Sequence, residues 1–216
     1  MGYNGSVNEK TIAELSTLVG GLSEPSKMPG YGYSTPAQAC KVGSLLRNVK
    51  GSTCGKCYAL KGRYSFRRVQ DAMYRRLESI SKPYWVAAMT ELISRKAKKV
   101  PYFRWHDSGD IQSLEHLSKI VEIAKNLPGI QFWLPTRETA IVKSFLSRGN
   151  SFPRNLTVRI SAAMIGRESE KIVGTVGSSV ENASAFQCPA RLQGNSCMDC
   201  RACWDSKVEE VSYSKH

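Results

Sequence analysis

The chain has 216 residues, of which 41% are hydrophobic, so its composition excludes a disordered protein and allows one domain with a sizeable core. No apolar run approaches the ~18 residues of a membrane-spanning helix, and no basic-then-apolar leader opens the sequence. The formal net charge is +13, which favours contact with polyanions, nucleic acid first. We therefore expect a cytoplasmic protein with no membrane partner.

Apolar periodicity predicts an alternation of helices and strands along the chain. Apolar residues at spacings of three and four predict helices over 8–20, 64–79, 83–98, 114–125 and 138–147. Short apolar runs predict strands over 101–106, 129–135 and 156–161, with two to three more from 28–34 and 172–176. The polar tail after Trp204 is predicted to fray.

Strands that alternate with helices indicate a parallel sheet with right-handed crossovers. The predicted fold class is α/β, a partial (β/α) barrel with parallel strands, and a small open sheet is the alternative. We expect one domain over 1–216. Residues 35–183 would form the barrel core with a first cysteine site in an N-terminal cysteine loop (40–58). Residues 184–205 would form a C-terminal cysteine segment that binds a cluster.

Seven cysteines form two groups, which are Cys40, Cys54 and Cys57, and then Cys188, Cys197, Cys200 and Cys203. The second group reads C-P-x7-C-x2-C-x2-C-W, and a triplet at this spacing suits a cubic iron–sulfur cluster. An odd number of cysteines also excludes complete internal disulfide pairing. We predict one or two [4Fe-4S] clusters, with four thiolates at the C-terminal site. The N-terminal site has only three thiolates, which leaves one iron open for chemistry.

Zinc is the alternative metal. Structural zinc usually takes two separated cysteine pairs, whereas the C-terminal group contains a triplet. Two of those three cysteines could still bind zinc together with Cys188 and another residue. The sequence also leaves open whether Cys188 joins the triplet or completes the N-terminal three, in which case no iron would remain open.

Polar residues follow three predicted strands, where functional side chains collect in parallel α/β folds. His106 and Asp107 follow the first strand, and a carboxylate beside a histidine can orient it or tune its pKa. Arg137 follows the second strand and can bind a carboxylate or phosphate through two hydrogen bonds. We predict these three residues to be catalytic. The alternative for Arg137 is an ion pair with a neighbouring glutamate.

Six further residues are predicted to contact a cofactor, and they are Tyr58, Ser108, Asp110, Thr136, Arg159 and Ser161. Most of them lie at the strand ends, and Tyr58 directly follows a predicted ligand. The alternatives are helix capping for Asp110, since Asp110 or Ser113 could start the next helix, and plain core packing for Tyr58.

The stretch CGKCYA at 54–59, followed by a basic helix, resembles a gene-product family of small, cysteine-rich phage proteins with a C-x2-C-Y-A signature. These proteins are distantly similar to radical S-adenosylmethionine enzymes. The motifs HDSGD at 106–110, QFWLPTRE at 131–138 and VRIS at 158–161 extend the resemblance over residues 35–205. The first cysteine gap here has thirteen residues, where radical enzymes have three.

The resemblance implies a [4Fe-4S] cluster on Cys40, Cys54 and Cys57, whose open iron binds the methionine part of S-adenosylmethionine. It also implies the cytoplasm of a phage host. We therefore expect a radical-enzyme-like iron–sulfur protein that acts on nucleic acid or a nucleotide, with a reductant protein as partner if it is redox active. The alternatives are a non-enzymatic electron carrier, a nucleic-acid-binding protein, and a structural zinc protein.

Overall fold

Seven strands form one parallel sheet in the computed structural model, which describes residues 6–215. In chain order the strands are β1 (Tyr31–Tyr33), β2 (Tyr102–Trp105), β3 (Gln131–Thr136), β4 (Leu156–Ser161), β5 (Val176–Val180), β6 (Phe186–Gln187) and β7 (Glu210–Tyr213). Their spatial order is β1-β2-β3-β4-β5-β7-β6, and all neighbouring pairs are parallel. The first four strands therefore lie side by side in the order of the sequence, as right-handed crossover units do.

Within the described residues, six α-helices accompany the sheet: α1 (Ile12–Val19), α2 (Lys41–Leu46), α3 (Arg67–Ser79), α4 (Trp85–Lys96), α5 (Leu114–Asn126) and α6 (Thr139–Ser147). Helix α1 begins at a capping box between Thr11 and Glu14 and ends at Gly20, whose φ of 75° suits glycine. The predicted helix over 64–79 begins three residues later, because a 3-10 turn, Gly62–Ser65, comes first. The five predicted helices and three predicted strands are confirmed, with shifted ends.

Alternate residues of the central strands face two different surroundings, because successive side chains point to opposite faces of a sheet. Phe132 and Leu134 belong to the main apolar core beneath α1, α4, α5 and α6, which pack in a row. Trp133 lies between them in sequence and packs on the other face, in a second cluster with Cys203 and Trp204. The C-terminal cysteine segment therefore covers the face of the sheet that the helix row leaves open.

Two predictions about the second half of the chain were wrong. The tail after Trp204 does not fray, since β7 lies between β5 and β6 and buries Val211. The strand predicted over 172–176 runs instead over Val176–Val180, because a turn places Gly174 at a φ of 81° just before it. Strand β6 was not predicted, since two residues carry no periodicity.

The predicted fold class is confirmed. The protein is a mixed α/β structure with a seven-stranded parallel sheet flanked by helices, as in a partial (β/α) barrel. Among residues 6–215, no helix is both long enough and apolar enough to cross a membrane.

Candidate functional site

A cavity of about 500 Å³ opens at the carboxyl ends of the parallel strands, on the face that carries Trp133. It is lined by the HDSGD run after β2 and by the last residues of β3, β4 and β5. Both cysteine groups contribute to the same wall, although residues 58–187 separate them in sequence. The volume is in the range of small-molecule binding sites.

The three N-terminal cysteines meet where α2 begins. Cys40 directly precedes α2, and the Cys57 amide donates to the Cys54 carbonyl at 3.2 Å in a tight turn. A Cβ atom at Gly43 would stand 3.0 Å from Cys40 Cβ and 3.6 Å from Cys54 Sγ. Glycine at 43 is thus what lets the first turn of α2 approach these two cysteines closely.

Glu138 attaches the N-terminal cysteine loop to the end of β3. Its Oε1 accepts hydrogen bonds from the amides of Lys41 at 3.1 Å and Val42 at 2.9 Å, the first two residues of α2. A carboxylate at a helix N-terminus satisfies amides that have no partner within the helix. Arg137 Nε donates to Thr53 Oγ1 at 3.1 Å, a second link from β3 to the loop. The buried Glu138 was not among the predicted site residues, although it ends the QFWLPTRE motif.

The N-terminal thiols are close enough to influence one another. Burial, together with the neighbouring Asp110 and Cys57, raises the pKa of Cys40 to about 12. Burial also raises the pKa of Cys54, against the opposing charge of Arg137. None of the seven cysteines forms a disulfide. A metal that binds here would therefore displace protons from the thiols.

The four C-terminal cysteines form a second group against β7. Cys203 Sγ lies 3.2 Å from the Tyr213 hydroxyl, and burial raises the pKa of Cys203 to about 11. Burial also raises the pKa of Cys197, and Cys188 and Cys200 add to that effect. Cys188 also raises the pKa of Cys203, and Cys188 and Cys197 both pack against the apolar cluster that contains Cys203. Cys200 is the one cysteine outside the cavity lining.

Within residues 6–215, no group of three or more histidine, cysteine, aspartate or glutamate side chains is arranged to hold a single metal ion. Cysteine thiolates are the ligands that iron–sulfur clusters take, so these two groups are the residues that could hold a cluster. The thiols are free, those of each group influence one another, and six of the seven cysteines line one cavity. Cluster ligation takes thiolates on separate irons, whereas structural zinc takes four donors on one ion.

Asp107 is fixed from both sides at the cavity wall. Its Oδ1 accepts from Ser23 Oγ at 2.9 Å, and its Oδ2 accepts from the Tyr64 hydroxyl at 3.1 Å. The Tyr58 hydroxyl donates to the Asp107 backbone carbonyl at 2.5 Å. Tyr58 therefore belongs to the framework of the site and lines the cavity as well.

His106 has an unusual backbone and an unusual environment. Its φ is 55°, a region that non-glycine residues rarely adopt, and such strain is often found at functional sites. The ring is buried 5.3 Å from that of His116, and neither of its nitrogens has a hydrogen-bond partner among residues 6–215. Burial holds the pKa of His106 well below its usual value, so the imidazole is neutral at pH 7.

Asp110 joins the ends of β2 and β3. Its Oδ1 accepts from Thr136 Oγ1 at 2.5 Å, and its Oδ2 accepts from the Arg137 amide at 2.9 Å. Burial raises the pKa of Asp110 to about 6 against these hydrogen bonds. It does not cap the following helix, since Ser113 does so by accepting from the His116 amide.

The structure brings most predicted site residues together at the cavity. The predicted residues that line it, besides six of the cysteines, are Tyr58, His106, Asp107, Ser108, Asp110, Thr136, Arg137 and Ser161. Arg159 does not line the cavity. All five of its N–H groups face backbone carbonyls, those of Gly177, Ala202, Cys203, Asp205 and Val208, at 2.6–3.0 Å. Its place is under the C-terminal cysteine segment, which it binds to β4.

Arg104 and Trp133 are among the residues of the cavity wall that sequence reasoning missed. Both lie within strands, directly opposite each other in the register of β2 and β3. A signal existed, because Arg104 interrupts an otherwise apolar strand between two buried aromatic residues, Phe103 and Trp105. A cation in such a position faces the surface opposite the core.

The sequence model of the Gene product 88 family matches residues 5–206, and the chain belongs to this family. The match confirms the predicted membership of a gene-product family. The match does not test the resemblance to radical S-adenosylmethionine enzymes. Neither a curated protein nor a solved structure gives a significant match to the chain.

Proposed function

We propose that this member of the Gene product 88 family is an iron–sulfur protein whose N-terminal site holds a [4Fe-4S] cluster with one open iron. Cys40, Cys54 and Cys57 would hold that cluster. One observation carries the proposal: thiols from two distant segments line one cavity at the carboxyl ends of parallel strands. Ligands bind at this edge in α/β folds, so a cluster there would face its ligand.

The remaining residues supply binding and orientation. Ser23 and Tyr64 hold the Asp107 carboxylate still, so it can accept a hydrogen bond from a ligand in a fixed direction. His106 lines the cavity, and its neutral ring keeps one acceptor and one donor nitrogen without a partner among residues 6–215. Arg137 is fixed through Thr53 and lies next to a predicted cluster ligand, Cys54. A cluster bound here would supply one electron to a ligand at its open iron.

The C-terminal cysteines would hold a second cluster with a structural or electron-carrying role. Cys188, Cys197, Cys200 and Cys203 are sufficient for all four irons of a cube. Cys203 is buried and packs with Trp204 in the second apolar cluster, which suits a structural role.

Metal analysis and electron paramagnetic resonance on protein purified without oxygen test the proposal. We expect iron and acid-labile sulfide, and a reduced four-iron signal that changes when S-adenosylmethionine is added. A four-iron signal that does not change when S-adenosylmethionine is added would favour an electron carrier over an enzyme. Zinc without sulfide would replace the proposal with a structural zinc site.

Two matched cysteine variants separate the two clusters. Cys54→Ala should abolish the response to S-adenosylmethionine, since it removes a ligand of the open cluster. Cys200 lies outside the cavity lining. Cys200→Ala should therefore lower the iron content while the response to S-adenosylmethionine persists. Equal loss of the response in both variants would contradict the division into two sites.

Nucleic-acid binding is a second candidate, favoured by the exposed surface beside the N-terminal cysteine loop. Lys61, Arg63, Arg67 and Arg68 are exposed there around Phe66, whose side chain is 62% exposed. Cations beside an exposed ring are typical of single-strand binding surfaces. Affinity for a single-stranded oligonucleotide should fall steeply between 50 and 200 mM salt and should weaken in Phe66→Ala. Unchanged binding in this variant would exclude that surface.

A further inference from the structure

Arg104 is a cation on the cavity face of β2 without an ion-pair partner among residues 6–215. Its Nη2 lies 3.5 Å from the Tyr58 hydroxyl and its Nη1 lies 3.8 Å from Met28 Sδ, both at the limit of a hydrogen bond. Its Nε is buried and has no partner in the described part of the chain. A guanidinium carries five N–H donors, and a charge taken out of water is costly unless it is paired.

Trp133 holds this guanidinium in a defined position. The two residues face each other across β2 and β3, and the guanidinium carbon lies 4.3 Å from the centre of a Trp133 ring. Trp133 is in turn wedged against Trp204, with ring centres 5.3 Å apart. The Trp133 indole N–H is also buried without a partner within residues 6–215. Two adjacent residues therefore present unused donors at one wall of the cavity.

Positively charged side chains outnumber negatively charged ones on the cavity wall. Six cations line it, which are Lys27, Arg47, Lys56, Arg104, Arg137 and Lys215, against the two carboxylates of Asp107 and Asp110. Both carboxylates already accept hydrogen bonds, Asp107 from Ser23 and Tyr64, and Asp110 from Thr136 and two amides. An anionic group is therefore the chemical class that this wall complements.

We propose that Arg104, stacked on Trp133, recognises a carboxylate or phosphate group of the ligand that enters the cavity. The guanidinium fork can bind such a group through two parallel hydrogen bonds. Because the inference names the charge of the ligand at the same cavity, it rests on the proposed function. It depends on the cavity and not on the presence of iron.

Anion binding to the full-length chain tests this proposal, with sodium pyrophosphate and sodium malonate as probes at constant ionic strength. Isothermal titration and the shift in melting temperature are both recorded, since a ligand of the folded state raises that temperature. We expect one of the probes to bind, and the one that binds tells whether the recognised group is a phosphate or a carboxylate. Arg104→Gln should weaken it at least tenfold, and Arg104→Lys less. The exposed Arg154→Gln, away from the cavity lining, should bind as the wild type does.

Trp133→Phe provides a second variant that keeps the stacking but removes the indole donor. It should weaken the probe by a smaller factor, and it keeps the test decisive if Arg104→Gln does not fold. Equal affinity in the wild type, Arg104→Gln and Trp133→Phe, or failure of both probes to bind, would overturn the proposal.

Arg104 could also serve the cysteines, since it lies near Cys197 and Cys203 and favours their ionised forms. A third result separates this role from the recognition of an anionic ligand. If Arg104→Gln loses iron while its anion affinity stays unchanged, the guanidinium serves the cysteines and the proposal falls. If the protein contains no iron but binds a probe through Arg104, the proposal of a cluster is refuted and the proposal of an anion site is retained.

Discussion

The C-terminal cysteine segment is attached to the sheet through one buried arginine within β4, whereas the N-terminal cysteine loop is attached through the carboxylate of Glu138 and the guanidinium of Arg137 just after β3. Arg159 donates to five carbonyls, three of them within residues 202–205, and Trp204 adds a hydrogen bond to Phe103. The loop instead depends on Glu138 and on the contact between Arg137 and Thr53.

This difference separates a structural role from a reactive one. The C-terminal segment contributes Cys203 and Trp204 to an apolar cluster, so changes there should lower global stability. The N-terminal loop surrounds the cavity with little apolar packing of its own, so changes there should alter metal binding more than stability. The contrast between a structural and a reactive role applies also to Arg159 and Arg104, which lie on the same face of the sheet. All N–H groups of Arg159 have hydrogen-bond partners, whereas most of those of Arg104 have none among residues 6–215.

Arg159→Met should have the largest effect. It leaves five backbone carbonyls without their donor, and each lost charge-assisted hydrogen bond costs about 1.5 kcal/mol or more, offset in part by relaxation and by water at the three that are only part-buried. We expect the free energy of unfolding to fall by about 4 kcal/mol, measured by urea unfolding. The exposed Arg154→Met is the control. A loss below about 1 kcal/mol would mean that the C-terminal segment is not fixed by this side chain.

The second-largest expected effect is a loss of stability at acid pH, caused by the buried His116 that lies beside His106. Burial lowers the pKa of His116 from 6.5 to about 3, so between these values the unfolded state binds a proton that the folded state does not. Stability is therefore full above pH 6.5 and falls as the pH drops, by up to about 1.4 kcal/mol per pH unit. His106, whose pKa is also lowered, acts in the same direction. Asp110, whose pKa is raised, acts in the opposite direction.

The comparison with His116→Gln isolates the contribution of this one residue, since glutamine cannot take up the proton. Urea unfolding at pH 7, 6 and 5 should show a shallower loss of stability in the variant. Residues 188–213 contain no histidine, so the C-terminal segment should not add to the difference. Parallel curves for the two proteins would contradict a neutral, buried His116.

Glu138→Ala should have a smaller and more local effect. Two amides at the start of α2 lose their acceptor, which costs about 1–2 kcal/mol, as the loss of a helix cap does. The N-terminal loop should loosen, so Cys40 should react faster with a thiol reagent in metal-free protein. Glu138→Gln keeps an oxygen acceptor and should stay closer to the wild type. If Cys40 reacts equally fast in all three proteins, Glu138 does not hold the loop.

The sequence was sufficient for those parts of the fold that have strong periodicity. Helices α4 and α5 and strand β4 bury regular apolar stripes, and their positions could be predicted to within a few residues. Strand β7 could not, because its two fully buried residues are Val211 and the polar Ser212, which make no apolar pattern, and the partners that make it a strand lie more than thirty residues earlier in β5. Pairing over that distance is tertiary information that local patterns lack.

The candidate site was predictable where polar residues follow a strand. The positions of His106 and Asp107 followed from the rule that strand ends of a parallel sheet share one edge. Arg159 shows the limit of that reasoning, since the sequence places it on a face but cannot say whether its donors meet a cofactor or the backbone. Glu138 was missed for the same reason, because its importance lies in the two α2 amides that only the folded chain brings near, whereas Arg104 left a signal in the apolar strand that it interrupts.

Gly43→Ala should have the smallest effect on stability and thereby sharpens the contrast between the two regions. Alanine is a better helix former by about 1 kcal/mol, but its Cβ would crowd Cys40 Cβ at 3.0 Å, so the two effects nearly cancel. The free energy of unfolding should change by less than about 1 kcal/mol, while the iron content of the N-terminal site falls. The matched change Gly194→Ala, in the C-terminal segment, has no atom within 4 Å but a φ of 62°, so it should lower stability by about 1 kcal/mol and leave N-terminal iron unchanged. Iron loss in Gly194→Ala rather than in Gly43→Ala would reverse the assignment of the two regions.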